Sequence, residues 1–505
     1  MPTFAAVDIG ANSVRLKIAS PSGRALKVLQ EDREVTRLGE SVFRSGMLST
    51  DAMAHTVSVL QRFHRAAQKE GADFVRVVAT SSLRESRNAS AFIDWARSAT
   101  GWEVEVISGV EEGRLIHLAV VAGAHIGDSR AVLLDLGGGS CELTLSDHGE
   151  IREIFSVPLG AVRLTQEFLQ RDPPKRKDLE RLRTFIDEEI TRVEKRIAAG
   201  RPQVAVATSG TAAALAGAFM HKRAPTSGAV PTRAVCDLAL RLAKLSREQR
   251  AKITGIGTRR AEIIVPGAMV YAQLLSRLEL SSFRYSPLGL RDGLLAQMVA
   301  EYDRNTKFHK QIEAQRRTAL LDLGKHYGVD MKFAETVRQL SADLFAALKP
   351  IHQLPSEYEE LLAAAAMLHE IGSFINRAGR HRHTYYIISH SEIFGYSTRE
   401  RQIIGSIARY VGRSRPTPDS RPMRPLDPLT QQNVRKAVAL LRLARALNQS
   451  RRNIVHQVTV RIRGGRALLE IIPKRGSADL EMWAIEKETG YFREVFGRDL
   501  APALS

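Results

Sequence analysis

The chain has 505 residues and a mass of 55.9 kDa, enough for several hydrophobic cores, and 44% of its residues are hydrophobic. Its two cysteines, Cys141 and Cys236, stand far apart without metal-type spacing, which excludes a disulfide framework and a zinc site and favours a reducing, cytoplasmic setting. The net charge of +19 indicates a polyanionic partner, such as nucleic acid, an anionic membrane or an inorganic phosphate chain, or else a basic host proteome.

The first part of the chain alternates strands and helices, which is typical of an α/β domain. Apolar strands are predicted at "TFAAVDIG", "SVRLKIASP", "FVRVVATS" and "EVEVISG". The segment "MPTFAAVDIGANS" lacks a basic patch followed by a long apolar run, so it is expected to be a buried strand and not a signal peptide. Between these strands, "DAMAHTVSVLQRFHRAAQKEG" has helical periodicity, and Thr50 or Asp51 is expected to cap the helix. Its apolar face consists of Val57, Leu60, Phe63 and Ala67.

A strand–turn–strand pattern occurs twice in the chain. The segments are "TFAAVDIGANSVRLKIASPSGRA" and "SRAVLLDLGGGSCELTLSDHGEI". In each, an aspartate (Asp8 or Asp135) ends the first strand, and a glycine-containing loop follows that closes on a serine (Ser13 or Ser140). This repeat predicts two homologous lobes, each of which offers one loop.

The remainder of the chain changes from mixed structure to helices. An amphipathic helix is predicted at 177–199, and the strand in "QVAVATSGTAAALAG" ends at 209–211 and leads into a helix. From about Tyr302 to Ser450 the pattern is almost entirely helical; a β-hairpin around Gly464–Gly465 and one terminal helix then follow. The predicted domains are 1–124, 125–302, 303–453 and 454–505. The apolar stripe of the 177–199 helix is Leu179, Leu182, Ile186, Ile190, Val193 and Ile197.

The paired loops are candidates for holding phosphate. Backbone N–H groups in glycine-rich turns form concave anion sites, and Ser13 and Ser140 add hydroxyl donors. If the lobes face each other, Asp8 and Asp135 enter one cleft, where carboxylates suit Mg²⁺. Either loop alone could be a structural hairpin turn, but a repeated loop indicates a repeated purpose.

Six segments occur in an order and spacing that resemble the exopolyphosphatase/guanosine pentaphosphatase (Ppx/GppA) family. They are "DIGANSVRL", "ATSSLRES", "VISGVEEGRLIHLAV", "LLDLGGGSCEL", "ATSGTAAAL" and "SPLGLRDGLL". The resemblance covers residues 1–302 and continues at "AAMLHEIGSFINRAGRHRHTYYII", which is similar to the family's degenerate HD-type domain. It implies duplicated actin-like (ribonuclease H-like) α/β lobes, an all-α HD-like domain and a small C-terminal α+β unit.

The resemblance also implies roles for particular residues. Glu112 matches the catalytic carboxylate, which orients and deprotonates a water, and Glu111 is the alternative. Asp135 and Glu142 match metal ligands, with Asp8 as a third candidate. The phosphate-binding set is Asn12, Ser13, Arg84, Gly137, Gly138, Gly139, Ser140, Ser209, Gly210 and Thr211, with Arg15 and Arg291 as further candidates.

Two positions depart from the family pattern. Ala11 stands where the family commonly has Ser, and Cys141 where it commonly has Thr. Both departures remove a hydroxyl but leave the acidic residues in place. They are therefore expected to tune the activity, and Cys141 is expected to pack in the core.

The helical region allows two interpretations. The pair His369–Glu370, followed by His381, His383 and His390, could form a second metal site. Alternatively, basic side chains form a surface or channel that holds polyphosphate away from the catalytic cleft. That channel set is His381, Arg382, His383, Arg409, Arg413 and Arg415.

The leading hypothesis is a Mg²⁺-dependent exopolyphosphatase that releases terminal orthophosphate processively. The alternatives are a guanosine pentaphosphate (pppGpp) 5′-phosphohydrolase, an enzyme with both activities, a non-catalytic sensor of polyphosphate or an alarmone, and a kinase. Expected partners are polyphosphate and pppGpp or ppGpp, with no specific nucleic acid and no membrane. A monovalent cation is a second candidate cofactor, and a homodimer is expected because dimers are usual among long family members.

Overall fold

The computed structural model describes residues 2–22, 25–123, 126, 129–221, 228–303, 307–463, 465–474 and 477–504. The chain divides into two compact units, Met1–Gln311 and Ile312–Ser505. Unit 1 contains two β-sheets, and unit 2 is mainly helical with one small sheet. No helix among the described residues is long and apolar enough to cross a bilayer.

The first sheet of unit 1 has five strands in the order β3-β2-β1-β4-β5. The strands β1, β2 and β3 form an antiparallel meander, and β4 and β5 continue parallel to β1. The bounds are β1 Phe4–Ile9, β2 Val14–Ser22, β3 Ala25–Glu34, α1 Gly39–Ser45, α2 Thr50–Lys69, β4 Phe74–Ala79, α3 Ser81–Glu85, α4 Ala89–Thr100, β5 Val104–Val106 and α5 Gly109–Ala122.

The second sheet has the order β10-β11-β9-β6-β7-β8 and reproduces the first. The antiparallel meander β6-β7-β8 corresponds to β1-β2-β3 of the first sheet. The parallel strands β9 and β11 correspond to β4 and β5, so the predicted repeat is confirmed. The bounds are β6 Ala131–Leu136, β7 Cys141–Asp147, β8 Glu150–Val157, α6 Ala161–Phe168, α7 Arg176–Ala199, β9 Val204–Thr208, α8 Ser209–Met220, β10 Ala229–Pro231, α9 Thr232–Lys244, α10 Arg247–Ala251, α11 Gly257–Arg260, α12 Ile264–Arg277, β11 Ser282–Tyr285 and α13 Leu290–Tyr302.

Two helices join the lobes of unit 1. α5 and α13 pack against each other, α13 packs on β1 and β2, and α5 packs on β6, β7 and β8. Their apolar side chains share one buried core with residues of both sheets, including Leu115, Leu294, Ala6 and Leu133. Because α5 lies between the lobes, a side chain in its first turn is positioned by both of them. This is the actin-like arrangement of duplicated α/β lobes that the sequence predicts.

The cap of α2 differs from the prediction. Ser49 is the N-cap residue, and its side-chain oxygen accepts a hydrogen bond from the Ala52 N–H at 3.3 Å. Thr50 and Asp51 are the first residues of the helix. The predicted apolar face is correct, since all four of its residues are buried.

Unit 2 has one hydrophobic core, which its helices share with its three-stranded sheet. The elements after residue 306 are α14 Lys307–His326, α15 Met331–Ala347, α16 Lys349–His352, α17 Glu357–Leu368, a 3₁₀ turn Ile371–Phe374, α18 Arg380–His390, α19 Thr398–Arg409, α20 Pro428–Ala446, β12 Val455–Arg463, β13 Arg466–Pro473, α21 Asp479–Glu486, α22 Thr489–Phe496 and β14 Asp499–Leu504. The sheet order is β12-β13-β14.

The C-terminal prediction is correct in one half and wrong in the other. β12 and β13 form the expected antiparallel hairpin. One of its two predicted turn glycines, Gly464, lies outside the described residues. The prediction of a single terminal helix is wrong, because two short helices, α21 and α22, form there. α22 is capped by Gly497, whose φ of 64° is left-handed, and β14 then pairs parallel with β13. Pro502 hid this strand, because proline is tolerated only where a strand lies at a sheet edge or bulge.

Candidate active site

Two turns of the same geometry meet in unit 1. The Gly10 N–H donates to the Ser13 carbonyl at 3.2 Å, and the Gly137 N–H donates to the Ser140 carbonyl at 3.0 Å. The turns approach so closely that a Cβ added at Gly138 would lie 2.9 Å from the Ala11 Cβ. The two predicted loops therefore face each other across one cleft.

The cleft has a volume of ≈ 260 Å³. Most residues that were predicted to bind substrate or metal line it, whereas Arg84, Gly139, Glu142 and Thr211 do not. Thr211 is buried in the first turn of α8 and lies against Gly267. The predicted residues that line the cleft are Asp8, Asn12, Ser13, Arg15, Glu112, Asp135, Gly137, Gly138, Ser140, Ser209, Gly210 and Arg291.

Three buried carboxylates lie together at the site. Glu112, Asp135 and Glu142 each offer one oxygen, and these oxygens lie within 4.8 Å of one another. Glu142 stands directly across from Asp135 in the pairing of β7 with β6. Among the described residues, this is the only group of three or more such side chains close enough to hold one metal ion.

Glu112 reaches this group because α5 begins very close to β7 and β8. The Ser108 side chain caps the helix by accepting from the Glu111 N–H at 3.1 Å. A Cβ added at the next residue, Gly109, would lie 2.2 Å from the Ser156 Oγ and 3.2 Å from a Glu142 oxygen. Glycine at this position lets the first turn of α5 bring the Glu112 carboxylate to Glu142.

The carboxylates are poorly satisfied by the protein itself. Glu142 Oε1 accepts from the Ser156 hydroxyl at 2.8 Å, and Asp135 Oδ1 accepts from the Thr208 hydroxyl at 2.6 Å. The second oxygens of Glu112 and Glu142 are buried without a hydrogen-bond partner in the described part of the chain. Such oxygens need either a proton or a cation.

Burial shifts the ionisation of these groups. It raises the pKa of Glu142 to about 7, with a further increase from the nearby Asp135 charge. Burial, and then the Glu142 charge, raise the pKa of Glu112 well above its usual value, although the Arg84 guanidinium opposes this. Burial also raises the pKa of Asp135. A hard divalent cation would relieve the charge of all three carboxylates.

Glu111 and Glu112 are adjacent in the sequence, but their carboxylates have different surroundings. The Glu111 carboxylate accepts two hydrogen bonds of 2.8 Å from Arg114, whose side chain is almost completely buried. Arg114 also donates to Gln297 on α13. Glu111 thus belongs to a structural network between α5 and α13, and only Glu112 lines the cleft.

Arg84 lies behind Glu112 and not on the cleft surface. Its Nη1 donates to the Ile107 carbonyl at 2.7 Å and lies 3.9 Å from Glu112 Oε2. In this position its charge acts on the carboxylate. Direct contact of Arg84 with phosphate stays a prediction.

The same cleft contains four arginine side chains, which together are called the arginine wall. They are Arg15, Arg33, Arg260 and Arg291. Burial, and then the charges of other arginines, lower the pKa of Arg33 to about 10 and that of Arg260 to about 9. The Nε and Nη2 atoms of Arg33 are buried and lack a hydrogen-bond partner among the described residues. This concentration of cationic groups favours an anionic ligand.

Sequence reasoning missed Arg33 and Arg260. Arg33 lies in the charged segment "LQEDREV", which resembles an exposed edge strand, and Arg260 ends the short helix α11 in "GTRRAE". Neither segment has an apolar strand followed by a glycine loop, which is the pattern that indicated the other parts of the site. Only the fold brings them to the cleft, where Arg260 lies against Gly210.

The turn from β9 into α8, at Ser209 and Gly210, is connected to the hairpin of β6 and β7. The Ser209 hydroxyl donates to the Leu136 carbonyl at 2.7 Å, and the Ser209 φ of 72° turns the chain sharply into α8. Ser209, Gly210 and Ala213 therefore present the N-terminus of α8 to the cleft. Such a terminus favours anions.

The two departures from the family pattern have different surroundings. Ala11 is buried and lies between Gly39 and Gly138, where little space remains for a larger side chain. Cys141 is fully buried in the core of the second lobe. Because neighbouring strand residues point to opposite faces, Cys141 points away from the face that carries Glu142.

The residues predicted in the helical region differ in exposure and in their partners. Arg382, Arg413 and His390 are exposed; His381, His383 and Arg409 are half-buried. Arg415 pairs with Glu494 and so is already partnered. His390 stacks on Tyr386 with ring centres 4.4 Å apart.

A duplicated α/β fold with facing glycine turns, buried carboxylates and an arginine wall defines an enzyme that acts on phosphate groups. The Ppx/GppA phosphatase family model matches residues 17–302, more than half of the chain, and the model of the family's domain III matches 315–487. The chain belongs to the Ppx/GppA phosphatase family.

Individual relatives agree with this assignment. "Exopolyphosphatase 1" of Mycobacterium leprae is 32% identical over 299 residues, which cover 58% of this chain and 88% of the relative. A Ppx/GppA family structure from Aquifex aeolicus is 28% identical with a TM-score of 0.53 and covers 60% of this chain and 99% of that one. An exopolyphosphatase structure from Cytophaga hutchinsonii is 25% identical with a TM-score of 0.56, and the coverages are 59% and 98%.

Proposed function

We propose that the protein is an exopolyphosphatase, which hydrolyses the terminal phosphoanhydride bond of linear polyphosphate. The observation that carries the proposal is that buried carboxylates and four arginines come together at one cleft. Phosphoanhydride hydrolysis requires both, because a water must be activated next to a phosphoryl group that is rich in negative charge.

The carboxylate group fits Mg²⁺. Its ligands are oxygens, the side chains are buried, and oxygens of Glu112 and Glu142 lack partners among the described residues. Asp135 and Glu142 would hold the ion. Asp8, in β1 before the turn of Gly10 and Ser13, is the third candidate ligand. When bound, Mg²⁺ would neutralise charge on the phosphoryl oxygens.

Glu112 is the proposed general base. Its carboxylate orients a water and accepts its proton as the water oxygen bonds to the terminal phosphorus. The bond from that phosphorus to the bridging oxygen breaks, and the shortened chain leaves with the electron pair while orthophosphate is released. Arg84 lies close enough to favour the ionised form of Glu112 that this step requires.

The glycine turns and the arginine wall would hold the substrate. Backbone N–H groups around Gly137–Ser140 and at the start of α8 can donate to phosphate oxygens without a side chain intervening. Arg15, Arg33, Arg260 and Arg291 would neutralise the following phosphates. In unit 2, the exposed Arg382 and Arg413 with His381, His383 and Arg409 remain the proposed channel for a longer anionic chain.

A second candidate substrate is pppGpp, whose 5′ end carries the same terminal anhydride. Tyr285, Pro287 and Leu288 line the cleft beside Ser209, and this less charged part of the wall could contact a guanosine. The net charge of +19 favours polyphosphate, because every phosphate of a long chain gains from additional cations. Comparing kcat/KM for the two substrates separates these proposals.

The test is orthophosphate release from long-chain polyphosphate with Mg²⁺ by wild type, Glu112→Gln and Glu103→Gln. Glu103 is exposed, and its carboxylate forms an ion pair with Arg97. Glu103→Gln makes the same change outside the cleft and is therefore the matched control. Glu112→Gln is expected to lose activity about 10²- to 10⁴-fold, whereas the control keeps it. Full activity in Glu112→Gln would refute the catalytic assignment. Phosphate transfer to ADP would indicate a kinase, and binding without Mg²⁺-dependent turnover would indicate a sensor.

A further inference from the structure

The helix that follows the meander of the second lobe begins directly against the second glycine turn. Gly160 is the N-cap residue of α6, and a Cβ added there would lie 2.2 Å from the carbonyl carbon of Gly139. The first N–H groups of α6 donate to the Gly137 and Gly138 carbonyls at 2.8 to 3.0 Å. The N–H groups that the start of a helix leaves without a partner thus hold two of the three glycine carbonyls of the turn.

An arginine side chain holds the third carbonyl. The Arg163 Nε donates to the Gly139 carbonyl at 2.7 Å. Because this peptide bond is trans, its N–H, which belongs to Ser140, points away from Arg163. Among the described residues no backbone carbonyl accepts from that N–H, and Ser140 lines the cleft. The contact with Arg163 therefore leaves the Ser140 N–H free for a ligand in the cleft.

The first lobe fixes the Arg163 side chain, which is only 12% exposed. Both carboxylate oxygens of Glu85, at the end of α3, accept from Arg163 Nη2 at 2.5 and 2.6 Å. The guanidinium carbon lies 4.4 Å from the ring centre of Phe43 on α1, which is a cation–π contact. A second acid, Glu167 of α6 itself, lies farther away, at 3.8 Å from Nη1. Arg163 is thus placed mainly by two helices of the opposite lobe.

The helix α3 connects this arrangement to the carboxylates of the site. Arg84, which precedes Glu85 in the chain, lies 3.9 Å from Glu112 Oε2. At the start of α3, Ser81 is so close to the second turn that a Cβ added at Gly139 would lie 2.2 Å from the Ser81 Oγ. The same short helix therefore contacts the proposed general base, the glycine turn and the arginine that orients the turn.

We infer that Arg163 is a positioning residue for the proposed hydrolysis and that Glu85 acts through it. Arg163 orients the Gly139–Ser140 peptide so that its N–H donates to an oxygen of the bound phosphate group. Glu85 keeps the guanidinium in place and ties the second glycine turn to the lobe that carries Arg84. The inference rests on the proposed function in taking a phosphate group as the ligand of the cleft. Neither Arg163 nor Glu85 lines the cleft, so both act through the main chain of the turn.

The test is calorimetric titration of the full chain with methylenediphosphonate in EDTA, because the bridging carbon of this probe prevents hydrolysis. A separate titration with Mn²⁺ reports on the carboxylates. Wild type is compared with Arg163→Met, Glu85→Gln and the double variant. The matched control is Arg196→Met. Arg196 also belongs to the second lobe, pairs with Glu153 and lies over the Phe155 ring, but it is outside the cleft.

Arg163→Met is expected to weaken methylenediphosphonate binding about tenfold and to leave Mn²⁺ binding unchanged, because only the Gly139–Ser140 peptide loses its orientation. Glu85→Gln is expected to weaken the same binding about threefold and to add nothing in the double variant. Arg196→Met is expected to bind like wild type. So is Glu167→Gln, which removes a charge beside Arg163 without touching the first lobe.

Unchanged methylenediphosphonate binding in folded Arg163→Met overturns the inference. Equal losses of methylenediphosphonate and Mn²⁺ binding also overturn it, since Arg163 would then act on the stability of the whole cleft. Circular dichroism melting shows which variants are folded. If Arg163→Met is not, the half-exposed Glu85 decides, and wild-type affinity in Glu85→Gln overturns the inference.

The titrations break no bond, so their outcome is separate from that of the Glu112 experiment. A wild type that releases no orthophosphate but shows the effect of Arg163→Met would refute the hydrolysis and support the positioning role. An active wild type without that effect would refute the positioning role alone. A wild type that binds no methylenediphosphonate also overturns the inference.

Discussion

Arg15 and Glu142 occupy equivalent positions in the two lobes. Arg15 stands across from Asp8 in the pairing of β2 with β1, and Glu142 stands across from Asp135 in the pairing of β7 with β6. The duplicated hairpins thus differ in charge at the same position. This single difference gives the second lobe the paired carboxylates of a cation site and the first lobe the start of the arginine wall.

Arg15→Gln is expected to raise KM for polyphosphate about tenfold, with a smaller effect on kcat. The side chain lines the arginine wall, so its loss removes binding to phosphates and leaves the carboxylate group intact. Steady-state kinetics at several salt concentrations measure this, and the salt dependence of KM is expected to become weaker. Arg97→Gln, on an exposed helix face, is the control. A lower kcat with unchanged KM would instead place Arg15 at the reacting phosphorus.

Glu142→Gln is expected to stabilise the metal-free protein and to weaken its binding of Mn²⁺ or Mg²⁺. The amide keeps an oxygen that can accept from Ser156, but it removes a buried negative charge next to Asp135 and Glu112. Thermal melting with and without EDTA and titration calorimetry with Mn²⁺ give the two readouts. Glu150→Gln, an exposed residue at the other end of the same hairpin, should change neither. If metal-free Glu142→Gln were less stable than metal-free wild type, the three carboxylates would not be a destabilising cluster of negative charges.

The metal-free protein is expected to lose stability as the pH rises from about 4.5 to about 7. Burial raises the pKa of Glu142 to about 7, so the folded state holds a proton that the unfolded state has already released. The cost at neutral pH is on the order of 3 kcal/mol for a shift of this size. Urea unfolding between pH 5 and 8 measures it, and saturating Mg²⁺ should abolish the decline. A decline that is unchanged in Glu142→Gln would assign it to other groups.

The sequence indicated the lobes and the acids of the site because these depend on local patterns. Glycine turns after apolar strands identify Asp8 and Asp135 without any knowledge of the fold, and the resemblance of "SGVEEGR" to the family's segment identifies Glu112. The arginine wall was only partly visible, since Arg33 and Arg260 come from separate elements that meet only when β3 and α11 are placed in space. The C-terminal strand β14 was missed for a related reason, because its partner β13 lies more than twenty residues earlier and Pro502 masks its pattern.

Cys141→Thr is expected to lower stability and leave catalysis nearly unchanged, although it introduces the residue common in the family. Cys141 is fully buried in the core of the second lobe and points away from the face of Glu142. A threonine hydroxyl there would need a hydrogen-bond partner, and an unsatisfied one costs about 1–3 kcal/mol. Thermal melting and kcat/KM on polyphosphate are compared with those of Cys236→Thr, a half-exposed cysteine. An unchanged melting temperature together with a markedly higher kcat would show that residue 141 takes part in phosphate binding. Only a hydroxyl that reaches the cleft could alter turnover without affecting the core.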